Sequence, residues 1–133
     1  MSEVDEVKEL VVLELARFGF HYRPDQPFRL ASGESSPEYL DCRAALAHRH
    51  VLKNVALLFL GALTARVRAV GGLTMGADPI SVAISLTAES DYWWFSVRKS
   101  PKGHGVEMGD TIVGPLLFGG DFVCVVDDVA TTG

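Results

Sequence analysis

No segment of this chain restricts its possible folds more than residues 122–133, which read FVCVVDDVATTG. Five apolar residues run directly into two acids, Asp127 and Asp128, and a run of small residues follows. An unbroken apolar run rich in β-branched side chains is typical of a strand that is buried on both faces of a parallel sheet. Because ligands of open parallel sheets bind beyond the carboxyl ends of the strands, we expect a binding site at this end.

The residues that close this segment have a chemistry suited to a phosphorylated sugar. The carboxylates of Asp127 and Asp128 can hold sugar hydroxyls or a metal ion, and the backbone N–H groups of small residues at a helix start can surround a phosphate. Taken alone, the two acids could also be turn residues that close a strand. A Walker B strand likewise ends in acids, but the chain contains no GxxxxGK[ST] sequence, which argues against a P-loop nucleotide-binding protein.

Size and composition indicate a single globular domain over residues 1–133. Of the 133 residues 48% are hydrophobic and 22% are charged, and a chain of this length has room for one domain. The net charge of −5 argues against a nucleic-acid-binding function, although a local cationic patch could still bind an anionic substrate. Cys42 and Cys124 lie in strand-like contexts and are expected to be buried, reduced thiols.

The N-terminal sequence and the longest apolar stretch indicate the cellular location that is expected for the protein. The sequence MSEVDEVKEL lacks the basic start of a signal peptide. The longest apolar stretch, Val55–Leu63, is too short to span a bilayer. The cytoplasm is therefore the expected location.

Hydrophobic periodicity and turn residues predict alternating helices and strands. Three helices are predicted, one from Ser2 and Asp5 to Gly19, one over Arg49–Arg66 and one over Pro79–Ala88. Strands are predicted at Val67–Gly71, Tyr92–Val97, Thr111–Val113, Leu116–Phe118 and Phe122–Val126. The strand–helix–strand order from Val67 to Val97 implies parallel neighbours joined by a right-handed crossover. The fold class is therefore α/β, with a central, mostly parallel sheet flanked by helices.

The two ends of the chain differ in character. Residues 20–43 are predicted to form a loop with short strands, because Pro24, Pro27 and Pro37 interrupt them. This gives an N-terminal segment over about residues 1–45 and a sheet core over about residues 46–133. A phosphate-binding turn should lead into a helix, yet the sequence stops at Gly133. We therefore expect the natural protein to be longer and the sheet core to be incomplete at its C-terminus.

Four segments together resemble one enzyme family. Residues 122–133 resemble the phosphoribosyl-pyrophosphate (PRPP) motif of type I phosphoribosyltransferases. FRLASGESSPEYLDCR at 28–43 and FSVRKSPKGHG at 95–105 resemble the N-terminal segment and the mobile catalytic loop of orotate phosphoribosyltransferases. GGLTMGADPI at 71–80 resembles a loop of many bacterial members. The PRPP motif identifies only the superfamily, whereas the catalytic loop together with SGxxSP is much more specific.

The resemblance implies a fold and a reaction. The fold is the type I phosphoribosyltransferase fold with an N-terminal hood segment. The reaction transfers the 5-phosphoribosyl group from PRPP to orotate in pyrimidine biosynthesis, and it yields orotidine 5′-monophosphate and pyrophosphate. In this family Asp127 and Asp128 match the catalytic acids that contact the ribose hydroxyls. The turn that holds the 5′-phosphate in the family matches the residues Val129, Ala130, Thr131, Thr132 and Gly133. The resemblance also places Thr131 beside orotate.

The loop after Val97 carries the second set of implied residues. The resemblance makes Lys102 its main catalytic residue and assigns Arg98, Lys99 and His104 to pyrophosphate. Cations at this place stabilise the departing group more than the bound substrate, which accelerates a reaction. The family lends this loop to the active site of a partner subunit, so a homodimer that shares loop 98–109 is implied. For the RKxxKxH pattern alone, a solvated basic loop is the alternative.

Three further positions have weaker signals. The segment Thr74–Pro79 lies between a strand and a helix, where exposed N–H groups suit pyrophosphate, although many such loops look alike. An aromatic residue at the position of Tyr39 lies near orotate in the family, yet Tyr39 could equally be a packed strand residue. His48 and His50 have no ligand spacing around them and are expected to be surface residues.

The resemblance also implies a cofactor and leaves some questions open. Mg²⁺ would come with the diphosphate, without direct protein ligands. Ala31 and Gly76 stand where many members carry lysines of the base site and the pyrophosphate site. The arginine that holds the carboxylate of orotate would lie beyond Gly133. Two alternatives therefore stay open, a phosphoribosyltransferase for another base and a PRPP-binding regulator without catalysis.

Overall fold

The architecture, seen in a computed structural model, is an α/β sheet domain with an N-terminal hood, described for residues 2–101, 103, 111–115 and 117–130. Its helices are α1 (Glu3–Gly19), α2 (Cys42–Leu46), α3 (Arg49–Ala62) and α4 (Ala77–Thr87). Its strands are β1 (Phe20–Tyr22), β2 (Phe28–Arg29), β3 (Ser35–Ser36), β4 (Glu38–Leu40), β5 (Val67–Leu73), β6 (Trp93–Val97), β7 (Ile112–Val113) and β8 (Phe122–Val125).

Helix α1 begins at the cap that the sequence predicts. The Asp5 N–H donates to Ser2 Oγ at 3.2 Å, and the Ser2 N–H donates to Asp5 Oδ2 at 3.0 Å. This capping box pairs N–H groups that the helix itself cannot satisfy. The helix ends at Gly19 as predicted, where a side chain would overlap the backbone carbonyl of Asp41. Among the valines of this helix, Val11 is buried while Val4 remains 57% exposed.

The central sheet has the strand order β7-β6-β5-β8. Strand β5 runs parallel to both β6 and β8, whereas β7 pairs with β6 in the antiparallel sense. The mostly parallel sheet and the parallel pairing within the strand–helix–strand unit are therefore confirmed. Because β5, β6 and β8 are parallel, their carboxyl ends meet at one edge of the sheet.

Helices α3 and α4 form the core with one face of this sheet. Val70 of β5 and Ile84 of α4 are fully buried. The buried cluster consists of Leu46, Ala56, Val70, Ala77, Ile80, Ile84 and Val126. Burying a large aliphatic side chain of this kind stabilises the fold by roughly 1.5–3 kcal/mol. This packed layer holds the ends of β5 and β8 in place.

Two short antiparallel ribbons make up the hood. Strand β1 pairs with β4, with Tyr39 opposite His21, and β2 pairs with β3, with Phe28 opposite Ser36. The predicted loop with short strands is therefore confirmed. The Asp41 N–H donates to the carbonyl oxygen of Gly19 at 2.8 Å and joins the hood to the end of α1.

The prediction that the last strand is buried on both faces is wrong. Cys124 is half-buried and Val126 is buried against the helices, but Val125 is 72% exposed on the opposite face. In the described part of the sheet β8 is an edge strand, and α3 and α4 cover only the other face. An apolar sequence therefore does not by itself reveal how many faces of a strand are covered.

Several predicted boundaries also differ. Helix α3 ends at Ala62 rather than at Arg66, and the ends of the other predicted helices and strands that form agree with the prediction or differ by one or two residues. Helix α2 is not predicted by periodicity; it begins at Asp41, whose Oδ1 accepts the Ala44 N–H at 3.2 Å. Cys42 consequently lies in a helix rather than in a strand-like context. No strand forms at residues 117–118, and Leu116 lies outside the described residues.

None of the helices in the described part of the chain is long and apolar enough to cross a bilayer.

Candidate active site

One cavity of about 930 Å³ lies where the three parallel strands end. Leu73 ends β5 and Thr74 to Gly76 follow it, Lys99 follows β6, and Asp127 to Val129 follow β8. The opposite wall comes from the hood and the start of α2, through Arg29, Leu30, Ala31, Ser32, Tyr39, Leu40, Asp41, Cys42 and Arg43. Residues from all four segments that the sequence singled out therefore line a single space.

The acid pair lies at a turn immediately after β8. The Val126 N–H still donates to the carbonyl oxygen of Gly71 at 2.8 Å, as the last contact with β5. The Asp128 N–H then donates a hydrogen bond to Asp127 Oδ1 at 2.9 Å. Because the backbone turns here, both carboxylates face the same cavity, which an extended chain would prevent.

The electrostatics of the pair are asymmetric. Partial burial raises the pKa of Asp128 above the ordinary aspartate value, and the adjacent carboxylate of Asp127 raises it further. Arg43 opposes this shift from a distance of 4.0 Å between its Nε and Asp128 Oδ2. A second positive charge or a set of hydroxyl donors placed between the two acids would relieve their repulsion.

The loop Thr74–Gly76 lies directly against the acid pair in the cavity wall. The Thr74 N–H donates to the carbonyl oxygen of Val97 at 3.0 Å, and the peptide bond between Thr74 and Met75 is cis. Gly76 caps α4, and a side chain at this position would overlap the Oδ1 atoms of both Asp127 and Asp128. The start of an eleven-residue helix therefore opens onto the cavity close to the two carboxylates.

The basic loop enters the site through one described residue. Lys99 lines the cavity, whereas Arg98 lies beside it, with its backbone N–H donating to the carbonyl oxygen of Thr111 at 2.7 Å. This bond connects the start of the predicted loop 98–109 to Thr111, two residues beyond the end of that loop. Lys102 and His104 lie outside the described residues, and their predicted roles stay predictions.

The hood contributes an aromatic wall. Tyr39 lines the cavity and is 37% exposed, and its ring lies 5.3 Å from the ring of Phe28. It is thus both a packed strand residue and a cavity residue, so the two readings of its sequence position are compatible. Ser32 and Ala31 lie in the adjoining turn, in which Gly33 takes a φ of +89°.

The phosphate turn is described only in part. Val129 lines the cavity, and Ala130 follows it outside the lining. Thr131, Thr132 and Gly133 lie outside the described residues, so their predicted contacts with phosphate and orotate stay predictions.

Arg29, Asp41 and Arg43 line the cavity without having been singled out individually in the sequence. They lie within the segment Phe28–Arg43 that resembles the family, but the pattern did not separate them from their neighbours. Arg43 is the most informative of them, because its Nε lies 4.0 Å from Asp128 Oδ2. The importance of Arg43 is visible only from its ion pair with Asp128, which is distant in sequence.

The two cysteines are half-buried, and the two histidines lie at the surface. Burial raises the pKa of both the Cys42 and the Cys124 thiol, and both are free and half-buried. His48 stacks on Phe18 with 3.9 Å between ring centroids, and His50 Nε2 lies 3.2 Å from Glu14 Oε1. Both histidines are exposed, as predicted. Among the described residues no three His, Cys, Asp or Glu side chains cluster as a metal site would require.

Comparison with known proteins places these features in one family. A curated orotate phosphoribosyltransferase of Rhodopirellula baltica is 39% identical over 116 residues, which cover 80% of this chain and 58% of that protein. The solved orotate phosphoribosyltransferase of Mycobacterium tuberculosis in complex with Fe(III) dicitrate superposes with a TM-score of 0.76 at 34% identity, over 96% of this chain and 70% of that one. No family model matches the chain.

A further structure of the Mycobacterium tuberculosis enzyme contains PRPP. It superposes with a TM-score of 0.70 at 31% identity, over 96% of this chain and 67% of that one. The chain thus spans 58% of the length of the Rhodopirellula relative. The type I phosphoribosyltransferase fold inferred from the sequence is confirmed by these likenesses.

Proposed function

Because this chain belongs to the orotate phosphoribosyltransferase family, we propose that the protein that carries it transfers the 5-phosphoribosyl group from PRPP to orotate. The products are orotidine 5′-monophosphate and pyrophosphate, within pyrimidine biosynthesis. The observation that carries the proposal is the single cavity in which Asp127, Asp128, Lys99 and the loop Thr74–Gly76 face the hood. Each of these groups suits one part of PRPP.

The acid pair and the turn after it suit the ribose 5-phosphate half. Carboxylate oxygens accept hydrogen bonds, and Asp127 and Asp128 offer two such groups on one side of the cavity, where ribose hydroxyls can donate. Val129 and Ala130 begin the turn that would receive the 5′-phosphate, continued by Thr131, Thr132 and Gly133. The small side chains let backbone N–H groups approach a phosphate closely.

The part of the cavity next to the acid pair suits the diphosphate. The start of α4 at Gly76 presents the positive end of a helix dipole, and Lys99 adds a full charge nearby. We assign Arg98, Lys102 and His104 to the same group, and Lys102 is the main catalytic residue in this proposal. As the bond between ribose C1 and oxygen breaks, its electron pair leaves with the diphosphate, and these cations stabilise the charge that develops there.

The hood suits the base. Tyr39 offers a flat aromatic surface for orotate, and a ring nitrogen of orotate forms the new bond to ribose C1 as the diphosphate leaves. Arg29 and Arg43 are cations on the same wall that complement an anionic base. Thr131 is the further orotate contact in this proposal.

Mg²⁺ fits the charges of this site when it arrives with the diphosphate. Asp41, Asp127 and Asp128 line the cavity, and the pKa of Asp128, raised by partial burial and by the adjacent Asp127 carboxylate, would be lowered by a nearby cation. Mg²⁺ would neutralise part of the diphosphate charge, with substrate and water oxygens as most of its ligands. We further propose a cytoplasmic homodimer in which loop 98–109 of each subunit completes the partner's site.

The test is orotate consumption by the complete protein, followed by ultraviolet absorbance. PRPP and Mg²⁺ are each omitted in turn, and loss of orotate that requires both is the expected result. A panel of other bases under the same conditions distinguishes a phosphoribosyltransferase of different specificity. Binding of PRPP without turnover of any base would instead identify a regulator and refute the proposal.

The Lys102→Ala variant tests the assigned catalytic residue. We expect turnover to fall on the order of 10²-fold or more, because a cation at the departing diphosphate is lost. The melting temperature should be unchanged, which circular dichroism can check. Turnover within a few-fold of the parent protein would remove Lys102 from the mechanism.

A further inference from the structure

The carboxylate of Asp78 joins two segments that border the cavity. Thr74 Oγ1 donates to Asp78 Oδ2 at 2.6 Å, and Ser96 Oγ donates to Asp78 Oδ1. Thr74 belongs to the loop after β5, and Ser96 lies in β6, two residues before Arg98. Hydrogen bonds from hydroxyls to a carboxylate are roughly twice as strong as those between neutral groups. One side chain thus links the ends of two neighbouring strands.

Asp78 itself does not line the cavity. It lines the groove between α3 and α4, together with Pro79 and Leu52, and is not part of the cavity wall. Its position in the first turn of α4 favours a negative charge. Its carbonyl oxygen accepts from Ser81 Oγ at 3.1 Å, which anchors the same turn to the helix. Asp78 can therefore affect a ligand in the cavity only through the groups that it holds.

Backbone bonds reinforce the same junction. The Thr74 N–H donates to the carbonyl oxygen of Val97 at 3.0 Å, and the Asp78 N–H donates to the carbonyl oxygen of Met75 at 3.3 Å. Ser96 is buried, so its hydroxyl has no competing bond to bulk water. The loop Thr74–Gly76 and the strand end that leads into Arg98 and Lys99 are consequently fixed relative to each other.

We propose that Asp78 is a positioning residue that sets the spacing between the loop Thr74–Gly76 and the start of the basic loop, and thereby the fit of the site to the diphosphate of PRPP. This inference rests on the proposed function, because it assigns both segments to the diphosphate. Reacting groups that are displaced by about 1 Å can lose on the order of 10²-fold in rate, so a link of this kind has a measurable effect.

The experiment compares Asp78→Ala and Ser96→Ala with the control Ser85→Ala in the complete protein. Ser85 Oγ donates to the carbonyl oxygen of Tyr92 at 2.6 Å. The control therefore also removes a hydroxyl bond between α4 and the segment of β6, but at the end of β6 remote from the cavity. We expect Asp78→Ala to raise the KM for PRPP roughly tenfold or more, with Ser96→Ala smaller in the same direction. The KM for orotate and the parameters of Ser85→Ala should be unchanged.

A conservative variant separates positioning from folding. In Asp78→Asn the amide can still accept from one hydroxyl and donate to the other, so the KM for PRPP should return close to that of the parent protein. If Asp78→Ala fails to fold, Ser96→Ala alone carries the test. An unchanged KM for PRPP in Ser96→Ala, with a melting temperature lowered only as far as in Ser85→Ala, would overturn the inference.

Calorimetric titration with PRPP alone distinguishes failure of this inference from failure of the proposed function. If the parent protein binds PRPP but consumes no orotate, the assigned reaction fails, and the affinities of the variants for PRPP still decide the role of Asp78. If the parent protein turns over orotate and the Asp78 variants behave like Ser85→Ala, only the positioning role fails. If the parent protein does not bind PRPP, both proposals are wrong.

Discussion

Asp78 and the pair Asp127–Asp128 stand at the carboxyl ends of two neighbouring parallel strands, yet their carboxylates are used differently. Asp78 follows β5, and both of its oxygens accept hydroxyl bonds from residues of the chain. Asp127 and Asp128 follow β8 and line the cavity, and partial burial together with the adjacent Asp127 carboxylate raises the pKa of Asp128. The carboxylate of Asp78 accepts hydrogen bonds within the chain, whereas the carboxylates of Asp127 and Asp128 are available to a ligand.

The difference shows how a similar location can serve structure or binding. A satisfied carboxylate stabilises its surroundings because each oxygen already has a donor. A pair of adjacent, partly buried carboxylates is unfavourable until a cation or hydroxyl donors arrive. We therefore expect substitutions in the acid pair to reduce activity more than stability.

The largest effect is expected from the combined substitution Asp127→Asn and Asp128→Asn. Both charges facing the proposed ribose site are lost, so turnover should fall on the order of 10²-fold or more. The melting temperature should hold or rise, because a repulsion is removed. Steady-state kinetics and thermal unfolding of the complete protein check this. Asp78→Asn is the matched control and should keep most of its activity, and equal losses in both variants would erase the contrast between the two regions.

Gly76→Ala tests the place where the two regions touch. An added methyl group would displace the carboxylates of Asp127 and Asp128, so we expect the KM for PRPP to rise roughly tenfold with little loss of stability. Gly72→Ala is the control, because a methyl group there meets the backbone carbonyl of Val126 and should destabilise the fold by about 1–3 kcal/mol. Denaturant unfolding measures that loss. A Gly76→Ala variant with unchanged affinity for PRPP would show that the close approach is not needed.

The stability of the protein should depend on pH in a way that distinguishes Asp128 from an aspartate with an ordinary pKa. Its folded pKa is raised, so its contribution to stability is present below the ordinary value of 3.8 and is lost as the pH rises through the folded pKa. Asp128→Asn should therefore gain stability relative to the parent protein as the pH rises through that range. Melting temperatures between pH 3 and pH 8 reveal the trend, and a constant difference would contradict it.

Asp121→Asn is the control of opposite sign. The Phe118 N–H and Arg68 lower the pKa of Asp121, so its contribution is present above 3.8 and is lost as the pH falls through the folded pKa. That variant should lose stability relative to the parent protein at neutral pH, and the difference should disappear in acid.

Arg43→Ala is expected to have the smallest effect on stability. Its side chain is exposed and lies 4.0 Å from Asp128, so the ion pair should contribute no more than about 1 kcal/mol. Removing the cation should also raise the pKa of Asp128 further, which carboxyl NMR titration can follow. A loss of several kcal/mol in urea unfolding would show that Arg43 holds the hood to the sheet.

Short-range patterns predicted much of the fold. The cap of α1 depends on Ser2 and Asp5, which are close in sequence, and it was predicted correctly. Helix α2 was missed because five residues are too few to show a helical period. The burial of β8 was misjudged because apolar content does not reveal that a strand lies at an edge of the described sheet.

Some residues of the candidate site could likewise be predicted from the sequence, whereas others could not. Asp127, Asp128, Lys99, Tyr39 and the loop after β5 were named from the sequence, and all of them line the cavity. The roles of Arg43 and Asp78 could not be named, because each depends on a partner in another segment. Arg43 meets Asp128, and Asp78 meets Ser96, and neither pairing follows from local spacing.

The order of residues along the chain was enough to place acids, hydroxyls and small residues at the ends of parallel strands, and to show the family. That information is local, because strand period, turn residues and motif spacing are all read within a few residues. The direction in which each carboxylate points emerges only when separate strands pack together. Its partners, two hydroxyls for Asp78 and a second carboxylate for Asp128, come from how the chain turns and packs, and those partners determine whether a charge is neutralised internally or left for a ligand.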